Sequence, residues 1–239
     1  MNRILFESSE ITDGLVVFGG TRARHVAEVL HAQPGQIIKT GVVNGSVGTS
    51  VIESLEKDGD GYRISARVDH SQTALGSWVD IILAPPRPRA MKRLLPQLAA
   101  MGVGRMFLVG AKKVEKDFWG ATLLKEENYR PLLIDGLMQA GTSEIPVIET
   151  RRNFRKFVEE ELESLFSDSR RRIVAHPYGA GDGAARSQGR LLLAVGPEGG
   201  WTDDEVALLE KHGFERYSLG QRILRTDTAL IALLAKLDI

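Results

Sequence analysis

The sequence predicts an α/β protein in two parts: a small β-barrel over residues 1–70 and, after a linker at 71–77, a domain over residues 78–239 built on a parallel sheet. Three observations carry this. Short β-rich runs separated by turn residues crowd the first part, with one helix among them. From Trp78 onward, strand-like runs alternate with helical spacing, the pattern of strands joined by crossover helices. Among those runs, Leu191–Val195 is continuously apolar, as a strand covered on both faces is, and Val79–Ala84 reads as a second buried strand.

In the first part, Arg3–Phe6, Leu15–Phe18, Ile37–Val43, Val47–Leu55 and Tyr62–Val68 read as strands. Asp13-Gly14, Pro34-Gly35, Asn44-Gly45 and Asp58-Gly59-Asp60-Gly61 separate them, and Asn44-Gly45 marks a hairpin. Thr21 is placed to cap the one helix, with Val26, Val29 and Leu30 as its apolar face. In the second part, Pro85-Pro86-Arg87-Pro88 stops the strand 79–84, and Met91, Leu94, Leu95 and Leu98 give helical spacing over Arg89–Met101. Pro96 lies inside that helix and is expected to kink it or move its start. Arg105–Val109 is the next strand, Leu132–Ala140 a helix, Ile145–Ile148 a strand and Asn153–Phe166 a charged amphipathic helix. Ile173–Ala175 is a short strand, and Gly179–Gly189 a loop rich in glycine and alanine.

Of 239 residues, 43% are hydrophobic and 26% charged, with a formal net charge of zero, so nucleic-acid binding would have to use a local patch. The absence of cysteine excludes disulfides, thiolate catalysis and cysteine metal sites. The segment MNRILFESSE lacks the apolar core of a signal peptide, and no apolar run has the length of a membrane span, so a cytoplasmic protein is expected.

Arg190–Phe214 carries the chemistry-bearing pattern. The strand 191–195 runs into a corner of Gly196, Pro197, Glu198, Gly199 and Gly200, and the capping-box spacing of Thr202 and Glu205 starts a helix. A second corner at Ser218-Leu219-Gly220 leads through Gln221–Thr226 to an apolar helix that Thr226 or Asp227 can cap. Two such corners at strand ends suggest a small-molecule crevice at the carboxyl edge of the sheet; an ordinary tight turn is the competing reading of the first. Glu198 would repel a phosphate, so a neutral or cationic ligand is expected. Arg222 reads as a surface or ion-paired residue. Arg225, just before a helix N-terminus, is electrostatically misplaced and open to a functional role.

Arg87, Arg89, Lys92, Arg93, Arg105, Lys112, Lys113 and Lys116 form a local basic excess opposed by Glu115, able to hold a phosphate backbone or to be a solvated face. Arg3, Arg22, Arg24 and His25 offer a second basic surface on the small domain. The histidines show no metal-ligand spacing, so no metal is expected; His176 lies at a strand end and lines either a pocket or an ordinary loop.

The run GPEGGWTDDE…LGQRILRTDTA, Gly196 to Ala229, resembles the signature of the RsmE family, S-adenosylmethionine-dependent 16S rRNA uridine N3-methyltransferases of the SPOUT superfamily. Arg3-Ile4-Leu5-Phe6, RHVAEVLHAQPGQ and the MGV at 101–103 are compatible with it. His31, Gln36, Gln97, Ala100 and Asp227 depart from the family's usual arginine, aspartate, lysine, glutamate and glutamate. The resemblance implies a PUA-like RNA-binding barrel, a SPOUT-type parallel sheet with a C-terminal trefoil knot, a homodimer, and 16S rRNA of the small subunit as partner. It implies S-adenosylmethionine held by Ala175, His176, Gly196, Pro197, Gly199, Gly200, Leu219, Gly220, Ile223, Leu224 and Thr226. RNA contacts would come from Arg3, Arg22, Arg24, His25, Arg87, Arg89 and Lys92, and catalytic roles from Arg225 and Glu198. Methylation of a ribose 2′-hydroxyl or of another RNA, and a non-enzymatic RNA-binding module, are the alternatives.

Overall fold

The computed structural model describes residues 2–178 and 189–237, so the expected 179–189 loop lies, except for Gly189, outside the described residues. The chain divides into two compact units, one of residues 1–75 with 134–145, the other of residues 76–133 with 146–239.

The first unit is a six-stranded sheet of β1 (Ile4–Phe6), β2 (Ile11–Thr12), β3 (Leu15–Phe18), β4 (Ile37–Val42), β5 (Val47–Asp58) and β6 (Gly61–Gln72), in the order β1-β4-β5-β6-β3-β2. β1 and β4 run parallel and the other neighbours antiparallel. Asn44-Gly45 turns β4 into β5, with Asn44 at φ 56°. The β5–β6 ladder is long, so residues 71 and 72, expected in the linker, belong to β6. Phe6, Phe18, Val26, Ile38, Ile52 and Ile64 are buried together in its core.

Helix α1 (Gly20–Arg24) continues into a π turn over His25–Val29. Its N-cap is Gly19 and not Thr21, which sits within the first turn, and Val29 and Leu30 are exposed where the sequence placed an apolar face. The wider π turn shifts the side-chain phase, so that Val26 faces the core without its expected neighbours. Arg3 sends Nε to the Gly141 carbonyl (2.9 Å) and Nη1 to the carbonyls of Thr40 (2.6 Å) and Gly48 (2.8 Å). Arg22 pairs with Glu10, donates to the Leu5 carbonyl (3.0 Å) and lies over Phe6. Both arginines were expected to meet RNA; their donors are instead directed into the unit's own fold. Gln36 closes a turn by accepting the Gln33 N–H (2.8 Å).

The second unit is a six-stranded parallel sheet. Its strands are β7 (Val79–Leu83), β8 (Val103–Val109), β9 (Val147–Arg151), β10 (Ser169–Ala175), β11 (Arg190–Val195) and β12 (Glu215–Tyr217), in the order β12-β10-β11-β7-β8-β9. The expected α/β class and its parallel sheet are what the structure shows. The connections carry α2 (Pro88–Ala100), α3 (Glu126–Ala140), α4 (Phe154–Lys156), α5 (Leu162–Leu165), α6 (Asp203–Lys211) and α7 (Thr226–Leu237). Pro88 takes the first helical turn of α2, where its missing N–H costs nothing, and the helix runs on through Pro96. Asn153 caps α4 by accepting the Lys156 N–H, and a π turn at Phe157–Glu161 divides the expected single helix 153–166.

One charged cluster pins the sheet near the amino ends of its central strands. Asp80, in an otherwise apolar strand, is fully buried. Arg105 reaches it from β8 and Arg190 from β11 at distances of 2.6 Å. Burial alone pushes the Asp80 carboxyl up, but the bonds and charges of Arg190 and Arg105 outweigh it and hold the group below its ordinary value. Arg105 therefore leaves the basic surface to which the sequence assigned it: its charge is neutralised in the sheet, and its guanidinium also lies over Phe166.

Candidate active site

The two corners come together at the carboxyl edge of the sheet. β11 ends at Val195 beside Leu83 of β7, and β10 ends at Ala175 beside Tyr217 of β12. The corner after β11 and the segment after β12 thus face one crevice, a cavity of about 450 Å3. Ala175, His176, Gly196, Pro197, Gly199, Gly200, Leu219, Gly220, Ile223, Leu224 and Thr226 all line it, and so does Glu198.

Local bonds fix each wall. Gly196 lies where chain meets chain: a Cβ there would stand 2.9 Å from the Trp201 nitrogen and 3.2 Å from the Gly200 carbonyl carbon. The corner folds back on itself through the Gly200 N–H to the Pro197 carbonyl (2.8 Å), with Gly200 at φ 66°. The Lys113 ammonium donates to the Gly199 carbonyl (2.7 Å), so this lysine braces the corner. The Thr202–Glu205 capping box forms as its spacing predicts, and Glu205 also accepts the Lys112 N–H (2.8 Å). Across the crevice, Ser218 Oγ donates to the Pro177 carbonyl (2.9 Å) and accepts the Gly220 N–H (3.1 Å). Thr226 Oγ1 donates to the Gly196 carbonyl (3.4 Å), linking the two corners directly. His176 Nδ1 accepts the Tyr178 N–H (3.2 Å), so this ring shapes its own loop.

Two of the lining residues, Trp201 and Tyr217, 5% and 3% exposed, carry a buried polar atom, Nε1 and Oη, without a partner among the described residues. Neither residue was singled out by the sequence. An unpartnered donor costs roughly 1–3 kcal/mol, a cost that a ligand able to accept from it would offset. Among the described residues the charged lining groups are Glu198, Asp203 and Arg222, with His176 also in the lining.

The candidate catalytic pair is divided. Glu198 lines the cavity and accepts the Arg87 N–H (3.1 Å), which brings the 85–88 segment to its rim, where Arg87 also pairs with Glu115 (2.9 Å). Arg225 is exposed and lies outside the lining, although its neighbours Leu224 and Thr226 are in it; Arg222, read from sequence as a surface residue, is the arginine that lines the cavity. Arg89, Lys92 and Arg93 share the outer side of α2, Arg93 being paired with Asp227 (3.1 Å). Among the described residues no group of three or more His, Asp or Glu is placed to hold a metal ion, and no helix is long and apolar enough to cross a membrane.

This geometry has counterparts. A family model described as RNA methyltransferase domain matches residues 73–238. The ribosomal RNA small subunit methyltransferase E of Treponema pallidum (strain Nichols) is 30% identical over 237 residues, covering 97% of this chain and 88% of its own. Among solved structures, a ribosomal RNA small subunit methyltransferase E from Neisseria gonorrhoeae bound to S-adenosyl methionine aligns with TM-score 0.72 and 22% identity, over 98% of this chain and 95% of that one. A methyltransferase from Legionella pneumophila in complex with the same cofactor gives TM-score 0.75 at 22% identity, over 99% and 96% of the two chains. At that identity the structural likeness speaks for the fold. The family match over most of the chain and the full-length relative together show that the protein belongs to the RNA methyltransferase family that includes ribosomal RNA small subunit methyltransferase E.

Proposed function

We propose that the protein transfers a methyl group from S-adenosylmethionine to N3 of a uridine in 16S rRNA of the small ribosomal subunit. The observation that carries the proposal is the crevice between the two corners: 450 Å3 of space, two unpartnered buried polar atoms and an acidic group in its glycine corner. These suit a ligand with hydrogen-bonding groups and a positive centre. The donor supplies an electrophilic methyl group on a sulfonium, and its cation is compatible with Glu198 and Asp203 where a phosphate would not be. Backbone groups of residues 175–176, 196–200 and 219–224 hold the adenosine and methionine parts, and Trp201 Nε1 donates to an acceptor atom.

Uracil N3 is a weak acid and must lose its proton before it attacks. A guanidinium beside the base stabilises the developing imide anion and its carbonyl oxygens. Arg225 takes that role as the RNA docks, with Arg222 as the competing candidate because it already lines the cavity. Glu198 orients the base or accepts its proton. Much of the acceleration comes from alignment of N3 with the methyl group. Arg24, Arg87, Arg89 and Lys92 meet the RNA backbone, residues 1–70 act as a PUA-like RNA-binding module, and the 190–237 segment forms the SPOUT knot of a homodimer working in the cytoplasm. The exposed Ile223 and Leu224 are compatible with a second chain near the crevice.

Calorimetric titration with S-adenosylmethionine tests the first step: one site per chain is expected, weakened in Trp201→Phe, which keeps an aromatic side chain of smaller size and removes the N–H. A chain that binds no donor is the non-enzymatic RNA-binding module instead.

A further inference from the structure

A second cavity, of about 410 Å3, opens at the carboxyl ends of β8 and β9, lined in part by Gly110, Lys112, Arg152, Arg155 and Asp204. It lies along the same sheet edge as the crevice, and the 199–205 segment, the corner and the first turn of α6, divides the two: Gly199, Gly200, Trp201 and Asp203 line the crevice, Thr202, Asp204 and Glu205 the second cavity. β8 and β9 end in register at Val109 and Arg151, so Gly110 and Arg152 are the first residues beyond the sheet. A Cβ on Gly110 would stand 2.0 Å from the Arg152 carbonyl oxygen, so the two strand ends approach as only glycine allows.

The neighbouring arginines are used in opposite ways. Arg151 is bound to Glu149 (2.8 Å) and Glu161 (2.6 Å) and lies over Phe107. Arg152 is exposed, stands 5.6 Å over the Trp119 ring, and has no carboxylate partner among the described residues. The Lys112 ammonium has none either, since Glu205 takes only its backbone N–H. Several other arginines of this unit are neutralised: Arg87, Arg93, Arg105, Arg172 and Arg216 each lie within 3.1 Å of a carboxylate. Arg155 shares its charge with Glu159, and Asp204 and Glu205 are the opposing charges in the lining, the Glu205 carboxylate being occupied by the backbone N–H groups of Lys112 and Thr202. A guanidinium resting on an indole face keeps its N–H edges turned outward, the geometry that meets two phosphate oxygens.

We infer that this second cavity takes a backbone phosphate of a nucleotide flanking the target, contacted by Arg152 and Lys112, with Trp119 positioning Arg152. The inference rests on the RNA methyltransferase reading of the adjoining crevice. The test is fluorescence anisotropy of the full chain with a labelled single-stranded oligouridylate of about 12 nucleotides across a salt series, beside calorimetric titration of the methyl donor. In the Lys112→Ala/Arg152→Ala chain, RNA binding weakens roughly tenfold near 0.1 M salt and the salt slope falls by about 0.7 for each lost phosphate contact. Donor affinity stays that of the parent, and Arg152→Lys keeps the parent slope. Unchanged RNA affinity and slope overturn the proposal, as does a loss of donor affinity, which would assign the cavity to the donor's carboxylate. A parent chain that binds donor yet shows no salt-dependent RNA binding contradicts the RNA reading itself.

Discussion

Gly196→Ala probes the corner that makes the crevice. The new methyl group would stand 2.9 Å from the Trp201 nitrogen, 3.2 Å from Trp201 Cδ1 and 3.2 Å from the Gly200 carbonyl carbon. Two of these atoms are backbone, and the neighbourhood is tied at several points. The Ala84 N–H holds the Val195 carbonyl (2.9 Å), Thr226 holds the Gly196 carbonyl, and Trp201 packs on Phe154 with ring centroids 5.2 Å apart. The chain therefore yields by moving the 199–201 turn into the cavity. Overpacking of this kind costs about 1–3 kcal/mol, and donor affinity should fall by roughly tenfold or more as the turn closes on the site. Gly200→Ala is the control, because nothing lies within 4 Å of its added Cβ and the only penalty is a φ of 66°, about 1–2 kcal/mol. Urea unfolding and donor calorimetry on both variants read the two effects. Gly196→Ala with parent stability and parent donor affinity would refute the claim that close backbone approach shapes the crevice.

Asp80→Ala should lose about 3–5 kcal/mol in urea unfolding, because Arg105 and Arg190 would be left facing each other in the sheet. The folded Asp80 carboxyl is held below its unfolded value, so its stabilisation is complete above about pH 4 and is lost as pH falls through the folded value; the variant should show a flatter acid limb. His70 behaves differently: burial first, then the charge of Arg3, lowers its pKa despite Asp69, and its Nε2 bonds Thr40 Oγ1 (2.7 Å). The unfolded chain thus binds the extra proton, and the stability of the first unit should decline as pH drops below about 6.5. His70→Gln should remove that dependence in pH-resolved unfolding followed in the 1–75 region by hydrogen exchange. Arg225→Ala should lower single-turnover methylation more than donor affinity; parent rates in that variant, with loss in Arg222→Ala, would move the role to Arg222.

Local patterns made much of the second unit legible. The apolar run Leu191–Val195, the Thr202–Glu205 box and the glycines around Gly196 are features of short stretches, and their spacing alone forces strand, cap and corner. The crevice was legible because its two halves are such stretches. Arg3, Arg22 and Arg105 were misplaced for the opposite reason. Their partners at Gly141, Glu10 and Asp80 lie 138, 12 and 25 residues away, and only the fold decides whether a cation faces solvent or a buried carboxylate. Arg222 and Arg225 share one turn and one chemistry, so their sequence context does not separate the residue that lines the cavity from the one beside it. Trp201 and Tyr217 carry no sequence signal that singles them out; that their buried polar atoms have no partner among the described residues is visible only in three dimensions. Val29 and Leu30 are apolar in the right places for a regular helix, and the π turn puts them outside.

The central claim is the identity of the methylated atom. Small ribosomal subunits that lack the modification are incubated with the purified chain and S-adenosylmethionine, and their 16S rRNA is digested and analysed by nucleoside mass spectrometry with mapping of the modified base. The account predicts N3-methyluridine at a single position, formed more slowly when Arg225→Ala replaces the parent chain. A 2′-O-methylated nucleoside, or rRNA left unmodified by a chain that binds the donor, would contradict it.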